Sequence, residues 1–308
     1  MSGAAPERPL IRLGIPKGSL QEQTIELFRR AGWRISVSAR SYFPTIDDPA
    51  VSCLLIRAQE MGRYVENGVL DAGLTGLDWV LEYESDVELV SELVYSRATL
   101  ARARWVLAVP EGSPIRSLED CRGATIATEL TGYTTRYFRE HGIPVKVEFS
   151  WGATEAKVIE GLAHALVDIT ETGSTLKANG LRIVATLLET STRLIANRAA
   201  MRDEAKREKV RQIALLLEGA LAAESMVGLK MNVSRAGLDG VIALLPSLKA
   251  PTVSQLHGTD WFAVESVISE SVVRDLIPRL ISRGAEGIIE YPLNKIVSGG
   301  SPASGSSR

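Results

Sequence analysis

The chain is poor in the residues that build disulfide frameworks and zinc sites. It has two cysteines and three histidines in 308 residues, and neither set shows the spacing of metal ligands. Cys53 and Cys121 stand in strand-like or loop segments, so we expect both to be packing residues in a reducing compartment. The composition therefore argues against a disulfide-stapled domain and against a zinc centre.

The chain also lacks a surplus of positive charge and any long apolar run. It carries 35 Lys and Arg residues against 37 Asp and Glu residues, without the basic stretch of a nucleic-acid-binding face. The N-terminal segment MSGAAPERPL has no apolar signal-peptide core, and no segment approaches the roughly 20 apolar residues of a membrane helix. We expect a soluble cytoplasmic protein whose partners are small molecules, not nucleic acid or membrane.

Short apolar runs alternate with amphipathic helical runs over most of the chain. From Ile11 a strand-like IRLGI is followed by a helix-like SLQEQTIELFRRAG, and this alternation recurs through two sets of elements. The pattern predicts an α/β fold with largely parallel sheets. It breaks at Arg97–Arg104, where we place a crossing between two lobes. The later runs LRIVATLLE and STRLIANRAA are expected to return to the hinge and sheet of the first lobe.

A different pattern follows the long helical run at residues 203–224. Strand and helix signals then come in the order βαββαβ, which is the ferredoxin-like pattern of many ligand-sensing modules. Fold analogy alone does not establish sensing. The Gly/Ser/Pro-rich ends at 1–9 and 298–308 are expected to be disordered. The predicted domains are a first lobe at 10–97 and 187–222, a second lobe at 98–186 and a C-terminal module at 223–297.

The segment VDITETGST at residues 167–175 has the residue types of a phosphate-binding turn. Backbone N–H groups and hydroxyls of such a strand-to-helix turn contact a phosphate, and the helix N-terminus adds a favourable field. Acidic residues just ahead of the turn hold ribose hydroxyls, which makes Asp168 and Glu171 candidate sugar ligands. An ordinary βα turn, with Gly173 relieving strain and a hydroxyl capping the next helix, is the simpler interpretation of TGST taken alone.

Three further loops follow predicted strands and could converge on the same cleft, because sites in open α/β sheets gather at the carboxyl ends of strands. GIPKGSL at 14–20 offers a lysine and backbone donors to a polyphosphate, although it is too short for a Walker loop. Helix capping and a surface ion pair are alternative interpretations of the polar residues in these loops. The candidates are Lys17, Gly18, Ser19, Arg57, Gly76 and Asp78.

The segment WGATEAK at residues 151–157 begins a predicted helix. Thr154 is a natural N-cap, and Glu155 falls in the first turn, where a negative charge is favourable. A favourable interaction with the helix N-terminus and a role in a binding site therefore account equally well for Glu155 at this position.

Together these segments resemble the long form of ATP phosphoribosyltransferase, the family that opens histidine biosynthesis. The most specific segment is VDITETGSTLKANGL at 167–181. The same order and spacing hold for IPKGSL at 15–20, DAGLTGLDWVLE at 71–82, ATIATEL at 124–130 and GATEAKVIEGLA at 152–163. The likeness spans roughly residues 10–297.

The resemblance implies a two-lobed catalytic body similar to periplasmic binding proteins, followed by a ferredoxin-like regulatory domain that binds histidine. The family transfers the phosphoribosyl group of phosphoribosyl pyrophosphate (PRPP) to N1 of the adenine of ATP. It releases pyrophosphate and requires Mg²⁺. The resemblance further implies feedback inhibition by histidine, AMP as another ligand, and a homo-oligomer that is a dimer or a hexamer built from dimers.

The resemblance also assigns residues to ligands. The PRPP-binding residues would be Asp168, Glu171, Thr172, Gly173, Ser174 and Thr175. The nucleotide and pyrophosphate side would be lined by Lys17, Gly18, Ser19, Arg57, Gly76, Asp78 and Glu155. The histidine contacts would be Asn232 and Thr252.

Two other classes of protein share a two-lobed body. A solute-binding protein would carry a signal peptide and a transcriptional effector an N-terminal helix-turn-helix, and neither pattern is present. A non-catalytic, two-lobed regulator that binds a small molecule remains an alternative. A nearer one is a catalytically silent regulatory relative, built on another fold and paired with a short-form enzyme. The complete phosphate loop and the C-terminal module favour a self-contained enzyme.

Overall fold

The computed structural model describes residues 9–38, 40–95, 102–246 and 250–297. The predicted disordered ends, apart from Pro9, and most of the predicted crossing at Arg97–Arg104 lie outside these residues. In chain order the strands are β1 (Ile11–Lys17), β2 (Ile35–Ser36), β3 (Thr45–Ile46), β4 (Val51–Arg57), β5 (Ala72–Gly76), β6 (Glu88–Leu93), β7 (Ala103–Pro110), β8 (Thr125–Thr128), β9 (Lys146–Phe149), β10 (Ala165–Thr170), β11 (Leu181–Thr190), β12 (Thr192–Ala196), β13 (Met226–Ser234), β14 (Thr252–Gln255), β15 (Trp261–Ser269) and β16 (Ala285–Pro292). The helices are α1 (Gln21–Ala31), α2 (Ala58–Glu66), α3 (Leu77–Glu82), α4 (Thr131–Glu140), α5 (Thr154–Ile159), α6 (Ser174–Ala178), α7 (Arg198–Arg202), α8 (Glu204–Ala222), α9 (Arg235–Ile242) and α10 (Glu270–Ser282).

The first lobe is built on a five-stranded sheet in the order β4-β1-β5-β12-β6. Strands β4, β1 and β5 are parallel, whereas β12 runs antiparallel to both of its neighbours. Four consecutive residues of β1, at 13–16, are buried, as expected for a central strand that is covered on both faces. Because β4, β1 and β5 are parallel, the loops that follow them leave the sheet at one edge.

The second lobe is built on a sheet in the order β11-β7-β10-β8-β9. Strands β10, β8 and β9 are parallel, and β7 runs antiparallel between β10 and β11. The expectation that LRIVATLLE joins the first lobe is wrong. That run forms β11, which pairs with β7 from Leu181 to Thr190, so β12 is the strand that returns to the first sheet, as expected for STRLIANRAA.

Helix α3 fastens the two lobes together. The carboxylate of Glu82, at the end of α3, accepts hydrogen bonds from the backbone N–H groups of Gly132 and Tyr133, each at 2.8 Å. These N–H groups belong to the first turn of α4, where the N-cap position is Leu130 and supplies no side-chain acceptor. A side chain from the first lobe therefore satisfies orphan donors of a helix in the second lobe.

The C-terminal unit, which begins at Leu215, contains the predicted βαββαβ order. Its sheet has the order β14-β15-β13-β16 with every pair antiparallel. Alternate residues of β15 are buried, because α9 and α10 cover one face and leave the other open. The predicted α/β architecture, a two-lobed body plus a ferredoxin-like module, is confirmed. In the described part of the chain no helix is long and apolar enough to cross a membrane.

Candidate active site

A cavity of about 460 Å³ lies between the carboxyl edges of the two sheets of the first unit. It brings together eight of the residues predicted from the sequence, from loops that are far apart in the chain. The first lobe contributes Lys17, Gly18, Ser19, Arg57, Gly76 and Asp78, and the second lobe contributes Asp168 and Glu171. The expectation that strand-end loops converge on one cleft is therefore met for these eight residues.

The wall of the cavity formed by the first lobe is cationic. Lys17 and Arg57 are direct register partners at the ends of β1 and β4. The Lys17 ammonium lies 4.3 Å from the ring centroid of Tyr42, and the Arg57 guanidinium lies 5.6 Å from that of Trp151. Among the described residues no carboxylate lies within ion-pair distance of either cation. Arg57 therefore does not form the surface ion pair that was its alternative interpretation, as far as the described residues extend.

The loop between β1 and α1 lines the cavity with Gly18 and Ser19. Gly18 has a φ of +111°, which favours glycine because a Cβ is strained in that region. The N-cap position of α1 is Leu20, and its side chain makes no capping hydrogen bond. Ser19 therefore does not cap α1, contrary to the alternative interpretation, and it lines the cavity instead.

The opposite wall is acidic. Asp168 on β10 stands beside Glu129 at the end of β8, because the last register pair between these parallel strands is Val167 with Thr128. Burial raises the pKa of Asp168 to about 6, with a further increase from the charge of Glu155 and an opposing hydrogen bond from the Ile169 N–H. Burial, and then the charge of Asp168, also raise the pKa of Glu129. The negative charge of Asp168 therefore disfavours ionisation of Glu129.

Glu129 lines the cavity but is absent from the predicted site. It directly follows a short apolar strand in the segment ATIATEL, which is the same strand-end signal that identified Asp168. The rule that sites gather at the carboxyl ends of parallel strands could therefore have found it.

Asp78 lies at the floor of the cavity with 3% of its surface exposed. Its Oδ2 accepts a hydrogen bond of 2.7 Å from the indole N–H of Trp105, and its Oδ1 accepts one of 3.1 Å from the Trp79 N–H. Burial raises its pKa. A Cβ at Gly76 would overlap Oδ1 of Asp78, so the glycine makes room for this carboxylate. Both carboxylate oxygens are thus engaged by protein donors.

The predicted phosphate loop follows directly after the acidic wall. Gly173 has a φ of +78° and is the N-cap of α6, and its N–H donates to Oγ1 of Thr170 at 2.8 Å. The hydroxyls of Thr172 and Ser174 lie 2.9 Å apart. The cavity lining reaches Glu171, whereas Thr172, Gly173, Ser174 and Thr175 are not part of it. Their role as phosphate ligands stays a prediction.

Glu155 lies in the first turn of α5 and outside the cavity lining. The N-cap position of α5 is Ala153, with a φ of +50°. Thr154 is not the cap that the sequence suggested, because its Oγ1 pairs with Oγ of Ser150 at 3.0 Å. The charge of Glu155 still acts on Asp168 by raising its pKa.

Asn232 and Thr252 lie in the C-terminal unit, on β13 and on the edge strand β14. The register places Asn232 opposite Ala263 and Thr252 opposite Glu265, both on β15. Alternation along the strands puts the two residues on the open face of the sheet, two strands apart. Their role as histidine contacts stays a prediction.

The described residues include no group of three or more His, Cys, Asp or Glu side chains arranged to hold a metal ion. A metal bound in this cleft would therefore need oxygen ligands from its substrate as well as from the protein.

Comparison with known proteins gives consistent matches over nearly the whole chain. The family model described as ATP phosphoribosyltransferase matches residues 57–219, and the one described as HisG, C-terminal domain matches residues 223–295. The ATP phosphoribosyltransferase of Desulfosudis oleivorans is 60% identical over 288 residues, which cover 94% of this chain and 99% of the relative. ATP phosphoribosyltransferase 1 of Geobacter sulfurreducens is 59% identical, with the same 94% and 99% coverage.

A solved structure of the same family also matches this chain. A chain of the ATP phosphoribosyl transferase (HisG:HisZ) complex from Thermotoga maritima has a TM-score of 0.58 and 31% sequence identity. The match covers 68% of this chain and 96% of that chain. The part of this chain that remains is long enough to include the segment matched by the C-terminal family model.

Proposed function

The chain belongs to the ATP phosphoribosyltransferase family, and from this membership we propose how its cleft performs the first step of histidine biosynthesis. The enzyme transfers the phosphoribosyl group of PRPP to N1 of the adenine of ATP. The products are N1-(5-phosphoribosyl)-ATP and pyrophosphate. The alternative of a non-catalytic regulator is not favoured, because relatives matched over nearly their full length are named as the enzyme.

The separation of charge across the cleft is the observation that carries the proposal. PRPP and ATP present phosphate chains, which need cations, and PRPP presents ribose hydroxyls, which suit carboxylate acceptors. Lys17 and Arg57 supply cations that have no carboxylate partner among the described residues. On the facing wall Asp168 and Glu129 supply the acceptors. Glu171 and the loop at 172–175 continue from that wall toward the 5′-phosphate.

The reaction needs orientation and charge stabilisation more than a strong base. N1 of adenine carries its own lone pair, which forms the new N1–C1′ bond. The C1′–O bond to pyrophosphate breaks, and its electron pair leaves with the pyrophosphate. Lys17 and Arg57 stabilise the departing negative charge, and the anionic carboxyl of Asp168 stabilises positive charge that develops on the ribose. Asp168 is ionised above about pH 6, so it can serve this role at neutral pH.

Magnesium fits this cleft as an ion shared between protein and substrate. Mg²⁺ is usually held by one or two carboxylates together with substrate phosphates. Asp168 and Glu129 offer such oxygen donors in the cavity. When bound, Mg²⁺ neutralises charge on the pyrophosphate of PRPP.

We also propose a cytoplasmic location and regulation through the C-terminal unit. Histidine would bind on the open sheet face with contacts from Asn232 and Thr252 and inhibit the enzyme by feedback. AMP would be a further ligand, and the protein would form a homo-oligomer, either a dimer or a hexamer. The match of residues 223–295 to a C-terminal domain of the family supports the regulatory part of this proposal.

The experiment is a steady-state assay of purified protein with ATP, PRPP, Mg²⁺ and added pyrophosphatase, followed by the ultraviolet absorbance of the product. The expected result is a signal that needs both substrates and decreases when histidine is added. Absence of the signal with active pyrophosphatase present would refute the proposed activity, and a signal that histidine does not change would refute only the feedback.

A further inference from the structure

An exposed tryptophan of the second lobe contacts Arg57, which lines the cavity, although the tryptophan itself is not part of that lining. Trp151 has 66% of its surface exposed, although tryptophan is highly buried on average. In the same chain Trp105 is 2% exposed and Trp33 is 7% exposed. The contact recorded for the Trp151 ring is the guanidinium of Arg57 from the other lobe. Packing in the hydrophobic core therefore does not explain the position of this side chain.

The backbone around Trp151 is held in an uncommon conformation. Gly152 has a φ of +71°, and Ala153 has a φ of +50°. Two successive residues in the left-handed region turn the chain sharply between β9 and α5, and a non-glycine residue there is strained. Such strain concentrates at ligand-binding sites, so the turn that presents the Trp151 ring is a candidate for one.

The position of Trp151 is also compatible with an adenine base whose N1 must approach C1′ of the ribose. Trp151 follows β9, and Asp168 lies on β10, with β8 between these parallel strands. Two strand spacings separate the residues by about 10 Å. If Asp168 holds the ribose, N1 of adenine must come within about 3–3.5 Å of C1′. If the purine ring lies along this edge of the sheet, it points from Asp168 toward Trp151.

We propose that the ring of Trp151 stacks on the adenine of ATP and that adenine takes the place of Arg57 on this ring. Arg57 has no carboxylate partner among the described residues, so it can leave the ring and pair with phosphate. An exposed cation–π contact is weaker than base stacking combined with a charge-assisted hydrogen bond. The exchange therefore favours the ATP complex and makes Trp151 a determinant of specificity for the base.

This inference rests on the proposed transferase activity, and kinetics of Trp151 variants test it. Trp151→Ala should raise the KM for ATP about tenfold or more, since stacking of a base on an aromatic ring is worth that factor. The KM for PRPP should stay within about twofold of wild type, because Trp151 does not contact the ribose or its phosphates. Trp151→Phe should recover most of the loss. Inhibition by tripolyphosphate, which has no base, should be the same in all three proteins.

Phe149 provides a matched control. Its side chain is also 66% exposed and lies two residues earlier in the same segment, so Phe149→Ala should leave both Michaelis constants unchanged. An unchanged KM for ATP in Trp151→Ala, or an equal rise for ATP and PRPP, would overturn the inference. Inactive wild-type protein would instead refute the proposed function, so the two failures are distinguishable.

A second measurement does not depend on turnover. Stacking of AMP should quench tryptophan fluorescence in the wild-type protein, which has five tryptophans. Most of that quenching should be lost in Trp151→Phe and kept in Phe149→Ala. Equal quenching in wild type and Trp151→Phe would overturn the assignment.

Discussion

The indole N–H of Trp105 donates a 2.7 Å hydrogen bond to Oδ2 of Asp78. Trp105 lies on β7 of the second lobe, and Asp78 lies on α3 of the first lobe, so this bond joins the lobes at the floor of the cleft. The other carboxylate oxygen accepts from the Trp79 N–H. The family resemblance assigns Asp78 to the nucleotide and pyrophosphate side of the site, which stays a prediction, and its hydrogen bonds show that it also links the two lobes.

Asp78→Ala should therefore lower the free energy of unfolding more than it weakens substrate binding. The change leaves the buried Trp105 N–H without its acceptor, which costs about 1–3 kcal/mol. Chemical denaturation measures this loss. Trp105→Phe is the matched variant, and the double variant should lose less than the sum of the two single losses. Additive losses, or a large rise in the KM for ATP with unchanged stability, would favour a ligand role for Asp78.

Asp168→Asn should stabilise the protein at neutral pH while it abolishes PRPP binding. The pKa of Asp168 is about 6 in the folded protein against an ordinary 3.8, because burial disfavours the charged form. Below about pH 4 the carboxyl is neutral in both the folded and the unfolded protein, so its burial does not lower the free energy of unfolding. As the pH rises from about 4 to about 6, ionisation of the carboxyl lowers that free energy. The neutral amide should recover about 1–2 kcal/mol at pH 8, after allowance for partial exposure.

Urea denaturation at pH 8 and again near pH 4 measures the effect of this substitution. The stabilisation should be present at the higher pH and disappear at the lower one. Destabilisation at pH 8 would contradict the raised pKa, and retained PRPP affinity would contradict the role of Asp168 as a sugar ligand.

Loss of two loop hydroxyls should act on one substrate only. Thr172→Ala combined with Thr175→Ala should raise the KM for PRPP about a hundredfold or more, since each lost hydrogen bond to a charged phosphate is worth about 1.5–3 kcal/mol. The KM for ATP should change far less. Thr135→Ala, on the exposed side of α4, is the control. Initial rates at varied PRPP and fixed ATP give the KM for PRPP. An unchanged KM for PRPP would exclude the loop as the site of its 5′-phosphate.

The histidine response should depend on the open face of the C-terminal sheet. Asn232→Ala with Thr252→Ala should raise the histidine concentration needed for half inhibition about tenfold, because two polar contacts are lost. Activity without histidine should not change. Asp239→Ala, on α9 at the covered face, is the control. Undiminished inhibition of the double variant would place the effector site elsewhere.

Local patterns in the sequence were enough for the architecture but not for all strand partners. Periodicity identified the α/β alternation and the βαββαβ module because both follow from which faces are buried. The same pattern did not say which sheet receives β11. That choice depends on a neighbour, β7, whose paired residues lie between 71 (Leu181 with Pro110) and 87 (Thr190 with Ala103) positions earlier, and no local signal encodes it.

The candidate site was likewise predicted from the sequence only in part. The rule about strand ends brought Lys17, Arg57 and Asp168 to one cleft, because it depends on topology alone. That rule does not predict the hydrogen bond between Asp78 and Trp105. Nor does it predict that Glu82 caps α4, 50 residues away in the sequence. Those contacts form between the two lobes and depend on packing that only the folded chain brings about.

The most direct test of the central claim is the identity of the product. Mass spectrometry of a reaction of wild-type protein with ATP, PRPP and Mg²⁺ should detect an adduct of ATP and one phosphoribosyl group, formed in equal amount to pyrophosphate. Pyrophosphate release without this adduct, or no consumption of PRPP in the presence of ATP, would contradict the assignment.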